Sequence, residues 1–391
     1  MLEFSTSDSA ETGLLLDIAR DVVYREENTF KNHLGYGEIE YDILLEYLRY
    51  HELLVFAHLF FKKNNLKLPG EVENYLRNNF YANIFYAENL KNAFWDVTIA
   101  LKEKNINSVP LKGMSLINTL YKNRPGRQSS DIDILIEETD LAAAEDVMLS
   151  LGYKKDLHGF SQSYWRNHQY HFVYTKESQS SYPVTVEVHW ALDYRRSYKQ
   201  LPLLWQRIQN HAISGQAPLA YLSREDELFS LALHLRHFGK ILCIKNVCDI
   251  AILLNEYKNS MDWDYVLKEC RRSRIGSTLF FCLTQAKLFF DVKFPPSVVQ
   301  ELEISPRKRK IIERFIKNKT FFRNTGSARD KKMYLYGHFL FFDNYYEPIN
   351  YLLNIPQEQF ARFYGLGPYS FKTKVIYKLR IPYIILKNIS C

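Results

Sequence analysis

The chain has 391 residues, 47% hydrophobic and 24% charged, a balance ordinary for a soluble globular protein of two or three domains. Its net charge of +7 and pI near 8.9 are mildly basic, which suits an anionic substrate such as a nucleotide but does not require one. The five cysteines lack any Cys-x-x-Cys spacing, and no apolar run reaches the roughly 20 residues of a bilayer span, so a disulfide framework, a zinc site and a transmembrane helix are not expected and a cytoplasmic home is.

The opening MLEFSTSDSAETG is polar and acidic, unlike a signal peptide. Residues 1–105 read as a helical region. Apolar residues recur at helical spacing from Tyr41 to Lys62, Leu68-Pro69-Gly70 breaks the pattern, and a long helix is predicted from about Val72 to Lys104. Residues 106–200 change character. Ser108–Leu111 suits a buried strand, Met114–Tyr121 a helix, and Asn123–Gly126 a turn. The alternating, β-branched run Asp131–Ile136 predicts a strand. Thr139 is placed to cap a helix that Gly152 ends. His171–Thr175 and Val184–Trp190 predict two further strands, joined by a Ser/Gln-rich hairpin loop at 177–181. From 201 to 391 the pattern is helical again, with helices expected from Ser223 to Phe238, ended by Gly239, and from Lys245 to Tyr257. The tail KVIYKLRIPYIILKNIS mixes basic and apolar residues; Pro382 is expected to interrupt any helix there, and a packed terminal segment is favoured over contact with a membrane surface.

The chemistry concentrates in the middle region. On a strand, residues two apart share a face, so Asp131 and Asp133 project together while Ile132 and Ile134 enter the core. Two adjacent carboxylates repel unless a cation lies between them, and a hard divalent ion such as Mg²⁺ meets that need with oxygen ligands. Alternation in Val184–Trp190 puts Thr185, Glu187 and His189 on one face, and a strand paired beside the first would add Glu187 to the aspartates. Three carboxylates can hold two metal ions, the arrangement used for in-line phosphoryl displacement. Upstream, Lys112-Gly113-Met114-Ser115 places a glycine at a strand-to-helix turn, where backbone N–H groups favour a phosphate. Lys112 adds charge, Ser115 a hydroxyl, and Arg127 is near enough in sequence to reach the same anion. Taken singly, each piece also has a plainer reading: Glu187 as an exposed strand residue, His189 as a core or surface histidine, Trp190 as core.

The run VPLKGMSLINTLYKNRPGRQSSDIDILI, followed by VTVEVHWAL, resembles the uncharacterised bacterial nucleotidyltransferase family of the DNA polymerase β-like superfamily. YLRYHELLVFAHLFFKKNNLKLP resembles that family's N-terminal helical section, and LALHLRHFGKILCIKNVCDIAILL its downstream helical motif, so the likeness spans about residues 41–270. The resemblance implies an α+β fold, a small mixed sheet flanked by helices. It implies two Mg²⁺ ions, with Mn²⁺ as an alternative, and a nucleoside triphosphate, ATP first. Asp131 and Asp133 would bind the metals, and Glu187 would be the third carboxylate and activate an acceptor hydroxyl. Lys112, Gly113 and Ser115 would hold the triphosphate. The superfamily usually has Gly-Ser or Gly-Gly where this chain has Gly113-Met114, which bears on how phosphate is held. The downstream motif offers His234, His237, Lys240, Lys245 and Asp249. Lys245 would face the nucleotide and Asp249 position it, or the two form a salt bridge on one helix face. A small-molecule or peptide acceptor is favoured over nucleic acid. The alternative function is a non-catalytic nucleotide- or nucleic-acid-binding protein on the same fold.

Overall fold

A computed structural model of the protein describes residues 9–24, 38–122, 126–177, 183–193, 201–211, 219–235, 243–317, 339–367 and 369–389. The chain begins with helices α1 (Ala10–Tyr24), α2 (Tyr41–Tyr50), α3 (Leu54–Lys63) and the long α4 (Gly70–Glu103). Then come β1 (Ser108–Leu111), α5 (Lys112–Thr119), β2 (Ile132–Ile136), α6 (Leu141–Ser150), β3 (Lys154–Asp156), α7 (Gln162–His168), β4 (His171–Lys176) and β5 (Val184–His189). After α8 (Leu201–Arg207) a small ribbon forms from β6 (Gln209–His211) and β7 (Leu219–Tyr221). Helices follow: α9 (Arg224–Leu235), α10 (Ile244–Glu256), α11 (Trp263–Ser273), α12 (Gly276–Phe290), α13 (Pro296–Glu301) and α14 (Pro306–Lys317). The last are α15 (Tyr346–Leu353), α16 (Gln357–Phe363), α17 (Phe371–Lys378) and α18 (Arg380–Ile389).

The architecture is α+β, as expected. Five strands form one mixed sheet in the order β1-β2-β5-β4-β3, with β2 and β5 parallel and the other neighbours antiparallel. Its two faces differ because side chains alternate along each strand. Ile132, Ile134 and Ile136 of β2 and Val184, Val186 and Val188 of β5 bury against one core with Phe94 and Val97 of α4 and Met148 of α6. The opposite face carries Asp133, Glu187 and His189. A second core joins both ends of the chain, uniting Leu15 of α1, Leu48 of α2 and Phe60 of α3 with Phe229 of α9, Val247 of α10 and Phe281 of α12. Val109, Leu111 and Leu135 of the sheet enter the same core, which seats the polar sheet face against the helices.

Several local expectations change. The helical pattern from Tyr41 to Lys62 divides at His51–Leu53, with Glu52 in the left-handed region at φ 56°. No glycine or proline marks that break; the buried His51 is held from outside, its carbonyl accepting from Cys243 Sγ and its Nδ1 from the Ile244 N–H. Thr139 is not a cap: a 3-10 turn over Glu138–Asp140 precedes α6, and no side chain caps it. Strands β3, β6 and β7 and helix α7 carry too few residues to show a period in the sequence. Pro382 does not interrupt the tail. It falls in the first turn of α18, where a missing N–H costs no helical hydrogen bond. Most of the hairpin loop at 177–181, most of the turn at 123–126, and Gly239 lie outside the described residues.

Candidate active site

Parallel pairing of β2 and β5 sets the register Asp133↔Glu187, so these carboxylates stand side by side on one sheet face. Asp131 lies one residue before β2 rather than on it. All three line a cleft of about 510 Å³, within the usual size of small-molecule sites. The facing wall comes from the helical part: Glu52 beyond α2, His234 of α9, and Lys245, Asn246 and Asp249 of α10.

Lys112, the first residue of α5 directly after β1, has a left-handed backbone, φ 47°, a conformation costing a side-chain-bearing residue on the order of 1 kcal/mol. Its ammonium donates to Asp133 Oδ1 at 2.7 Å, and His189 Nε2 meets the same oxygen at 2.8 Å. His189 Nε2 also lies 3.3 Å from Glu187 Oε2, and His171 Nε2 3.8 Å from that atom. Burial alone would raise the pKa of Asp133, but Lys112 and His189 outweigh it and hold the carboxyl well below its usual range. Glu187 is likewise lowered, burial being outweighed by its hydrogen bond to His189 and the charge of Lys112. Asp131 goes the other way. Burial and then the charges of Asp133 and Glu187 push it up to about 7. Burial drives His171 and His234 down to about 3, so both are neutral at pH 7.

This charge pattern fits a divalent cation. Two carboxylates already share the available cations, while the third, Asp131, is left destabilised as an anion beside them. The oxygen donors of Asp131, Asp133 and Glu187 are those a hard metal prefers. Ligand atoms of His171, Glu187 and His189 also lie within 4.8 Å of one another, close enough for two imidazoles to share a metal with Glu187.

The other predicted residues divide. Lys112, Gly113, Arg127, Lys245 and Asp249 line the cleft. Gly113 is needed for a different reason from the one expected. A Cβ there would sit 2.0 Å from Ser129 Oγ and 2.8 Å from Ser129 Cβ, so the close approach is to the loop before β2. Ser115 does not reach the cleft; it is buried, and its hydroxyl donates to Glu227 Oε2 at 2.8 Å. The expected Lys245–Asp249 pair gives way to two others. Lys245 pairs with Glu52 across the cleft mouth. Arg127 grips Asp249 with both arms of its guanidinium, Nε to Oδ1 at 3.2 Å and Nη2 to Oδ2 at 2.8 Å, and Tyr121 donates to Oδ1 at 2.7 Å. The planar fork matches a buried carboxylate better than a lysine on the same helix does. Trp190 is core, 2% exposed and packed on Phe172. His237 and Lys240 lie outside the described residues.

Glu52, Ser129 and His171 were not anticipated. His171 was open to inference, since it falls opposite His189 in the β4–β5 pairing. Glu52 and Ser129 carry no sequence signal, because only the fold brings them to the cleft.

A mixed sheet sets carboxylates from neighbouring strands beside a Lys-Gly turn, under a helical wall. The chain belongs to the family described as uncharacterised nucleotidyltransferase, which matches residues 37–291, and that membership supports a general role in nucleotidyl transfer. Among solved structures it is similar to an antigenic nucleotidyltransferase-like protein from Paracoccidioides brasiliensis, at 19% identity over 54% of this chain and 95% of that one, with a TM-score of 0.32, too slight for comparison of residues. No curated protein matches the chain.

Proposed function

We propose that the protein transfers a nucleoside monophosphate from a nucleoside triphosphate, ATP first, to an acceptor hydroxyl on a small molecule or peptide, releasing pyrophosphate. The observation that supports this most is the register Asp133↔Glu187 with Asp131 beside it, three carboxylates gathered in one cleft. A divalent cation, Mg²⁺ or Mn²⁺, held by Asp131, Asp133 and Glu187 would neutralise triphosphate charge and lower the pKa of the acceptor hydroxyl.

The remaining work falls to the chain itself. Lys112, placed on Asp133, offers an ammonium to phosphate oxygens at the turn, and Lys245 offers a second from the opposite wall. These cations orient the triphosphate and balance charge developing on the leaving pyrophosphate. Glu187, kept ionised by its hydrogen bond to His189 and the charge of Lys112, accepts the acceptor's proton. Arg127 and Asp249 hold the loop that carries Asp131, a positioning role in place of the nucleotide contact expected for each.

Incubation with α-labelled triphosphates, Mg²⁺ and a cell extract tests the reading. A labelled product that disappears with Asp131→Asn or Asp133→Asn, a loss on the order of 10³-fold or more, is expected. Label transfer unchanged in both variants overturns it.

A further inference from the structure

The apolar residues exposed by this protein are not spread evenly. Of the sixteen large hydrophobic side chains exposed among the described residues, ten fall between Tyr345 and Ile381, including Tyr346 at 72%, Tyr369 at 64%, Phe371 at 82% and Leu379 at 60%. Soluble surfaces rarely concentrate apolar groups in this way without an apolar partner. Charge is concentrated in the same place. From Gln359 to Cys391 the chain has six Lys and Arg and no Asp or Glu, against a net +7 for all 391 residues. The rest of the molecule is therefore nearly neutral, and the last 33 residues hold almost the whole excess.

The fold joins the two features. Helices α17 and α18 follow one another with Lys372, Lys374, Lys378 and the apolar Phe371, Val375, Leu379 and Ile381 all exposed. Helix α15, whose Tyr346 and Ile349 are exposed, is fastened to their junction: Arg380 donates to the Leu353 carbonyl from Nε at 2.9 Å and Nη2 at 2.6 Å, and Tyr377 donates to the Ile355 carbonyl at 2.6 Å. Helix α16 is held as well, through Phe360 against Tyr377 and Tyr383.

We propose that this C-terminal helical surface docks on an anionic lipid bilayer, lying in the plane of the headgroups. Helices α17 and α18, with lysines beside aromatic and aliphatic side chains and without acids, have the composition of interfacial anchors. The lysines match an anionic headgroup layer in charge, and Phe371, Val375, Leu379 and Ile381 gain by leaving water for the acyl boundary. Nucleic acid would satisfy the lysines but would leave these aliphatic side chains wet. The proposal is independent of the nucleotide chemistry.

The test is co-sedimentation of the full chain with vesicles of phosphatidylcholine alone and of phosphatidylcholine with about one quarter phosphatidylglycerol, at low and high salt. Binding to the anionic vesicles at least about tenfold above the neutral ones, weakened by salt, is the expected result. The triple variant Lys372→Gln, Lys374→Gln, Lys378→Gln should lose on the order of 100-fold in partition, and Phe371→Ser with Leu379→Ser roughly tenfold, with ATP binding unchanged in both. Equal partition on both vesicles, no partition on either, self-association or RNA binding through these residues in its place, or well-folded variants that bind vesicles like the wild type would each overturn the proposal. The comparison of vesicles and salt uses the unaltered protein, so misfolding of a variant leaves the test decisive.

Discussion

Gly113 sits so close to Ser129 that it is not free to gain a side chain alone. A methyl at Gly113 meets Ser129 Oγ at 2.0 Å, so Gly113→Ala should destabilise by about 1–3 kcal/mol through overpacking. Adding Ser129→Gly removes both clashing atoms, and the double variant should recover most of the loss in a denaturant titration, a non-additivity expected of side chains in contact. Asp131 makes a second prediction, one about pH. Its pKa of about 7 in the folded protein lies above the ordinary 3.8, so the metal-free fold holds a proton that the unfolded chain gives up. That contribution is complete below about pH 4 and is lost as pH rises through about 7; His171 and His234, lowered to about 3, contribute the opposite slope over much of that window, so the share of Asp131 is read as the difference in melting temperature between the metal-free wild type and Asp131→Asn. Glu227, raised to about 7 chiefly by burial, adds a slope of the same sign. The melting temperature of the wild type minus that of Asp131→Asn should fall from pH 4 to 7, and a difference that stays flat or rises would contradict the assignment.

At the scale of elements, the contact that matters most is the one between α10 and the loop before β2. Arg127 and Asp249 are both almost fully buried, and Tyr121 completes the set. Removing one partner strands the other charge, so Asp249→Ala should cost about 3–5 kcal/mol, whereas Arg127→Met with Asp249→Leu should fall near wild-type stability. Turnover should drop in both, because the loop that places Asp131 has lost its anchor; stable double variants with full turnover would show the pair to be structural only. This network was the part of the site least legible in the sequence. Asp133 and Glu187 could be read from period-two alternation, since a strand dictates which side chains share a face, whereas Asp131 reaches the cleft from the loop just before β2. Which cation meets Asp249 could not, because Lys245 four residues away satisfies helix spacing while Arg127 arrives from another element. Ser115 misled for a similar reason: its place after the glycine matched a phosphate loop, but the turn of α5 carries it inward to Glu227.

Across the whole molecule, the cleft exists because two cores meet. The sheet and α4 form one, and helices from both ends of the chain form the other, so the wall carrying Lys245 and His234 depends on α1 to α3 for its packing. Deleting residues 1–40 should expose the buried face of α10 and α12 and leave a protein that fails to melt cooperatively in calorimetry; a sharp transition would contradict this account of the core. The succession of a helical, a strand-bearing and a second helical region was legible, because strand and helix periods differ, and the resemblance implied the α+β class; the order of strands in the sheet was not legible. The union of chain ends was not, since amphipathic helices reveal an apolar face but not its partner. The central claim is that the three clustered carboxylates hold a divalent cation for a nucleotide, and calorimetric titration with ATP, with and without Mg²⁺, tests it most directly. Wild-type protein should bind ATP only when Mg²⁺ is present, and Asp133→Asn should abolish that binding while still melting cooperatively, at a temperature lowered by loss of the pairs with Lys112 and His189. Tight ATP binding in the absence of any divalent ion, or undiminished Mg²⁺-dependent binding by Asp133→Asn, would contradict it.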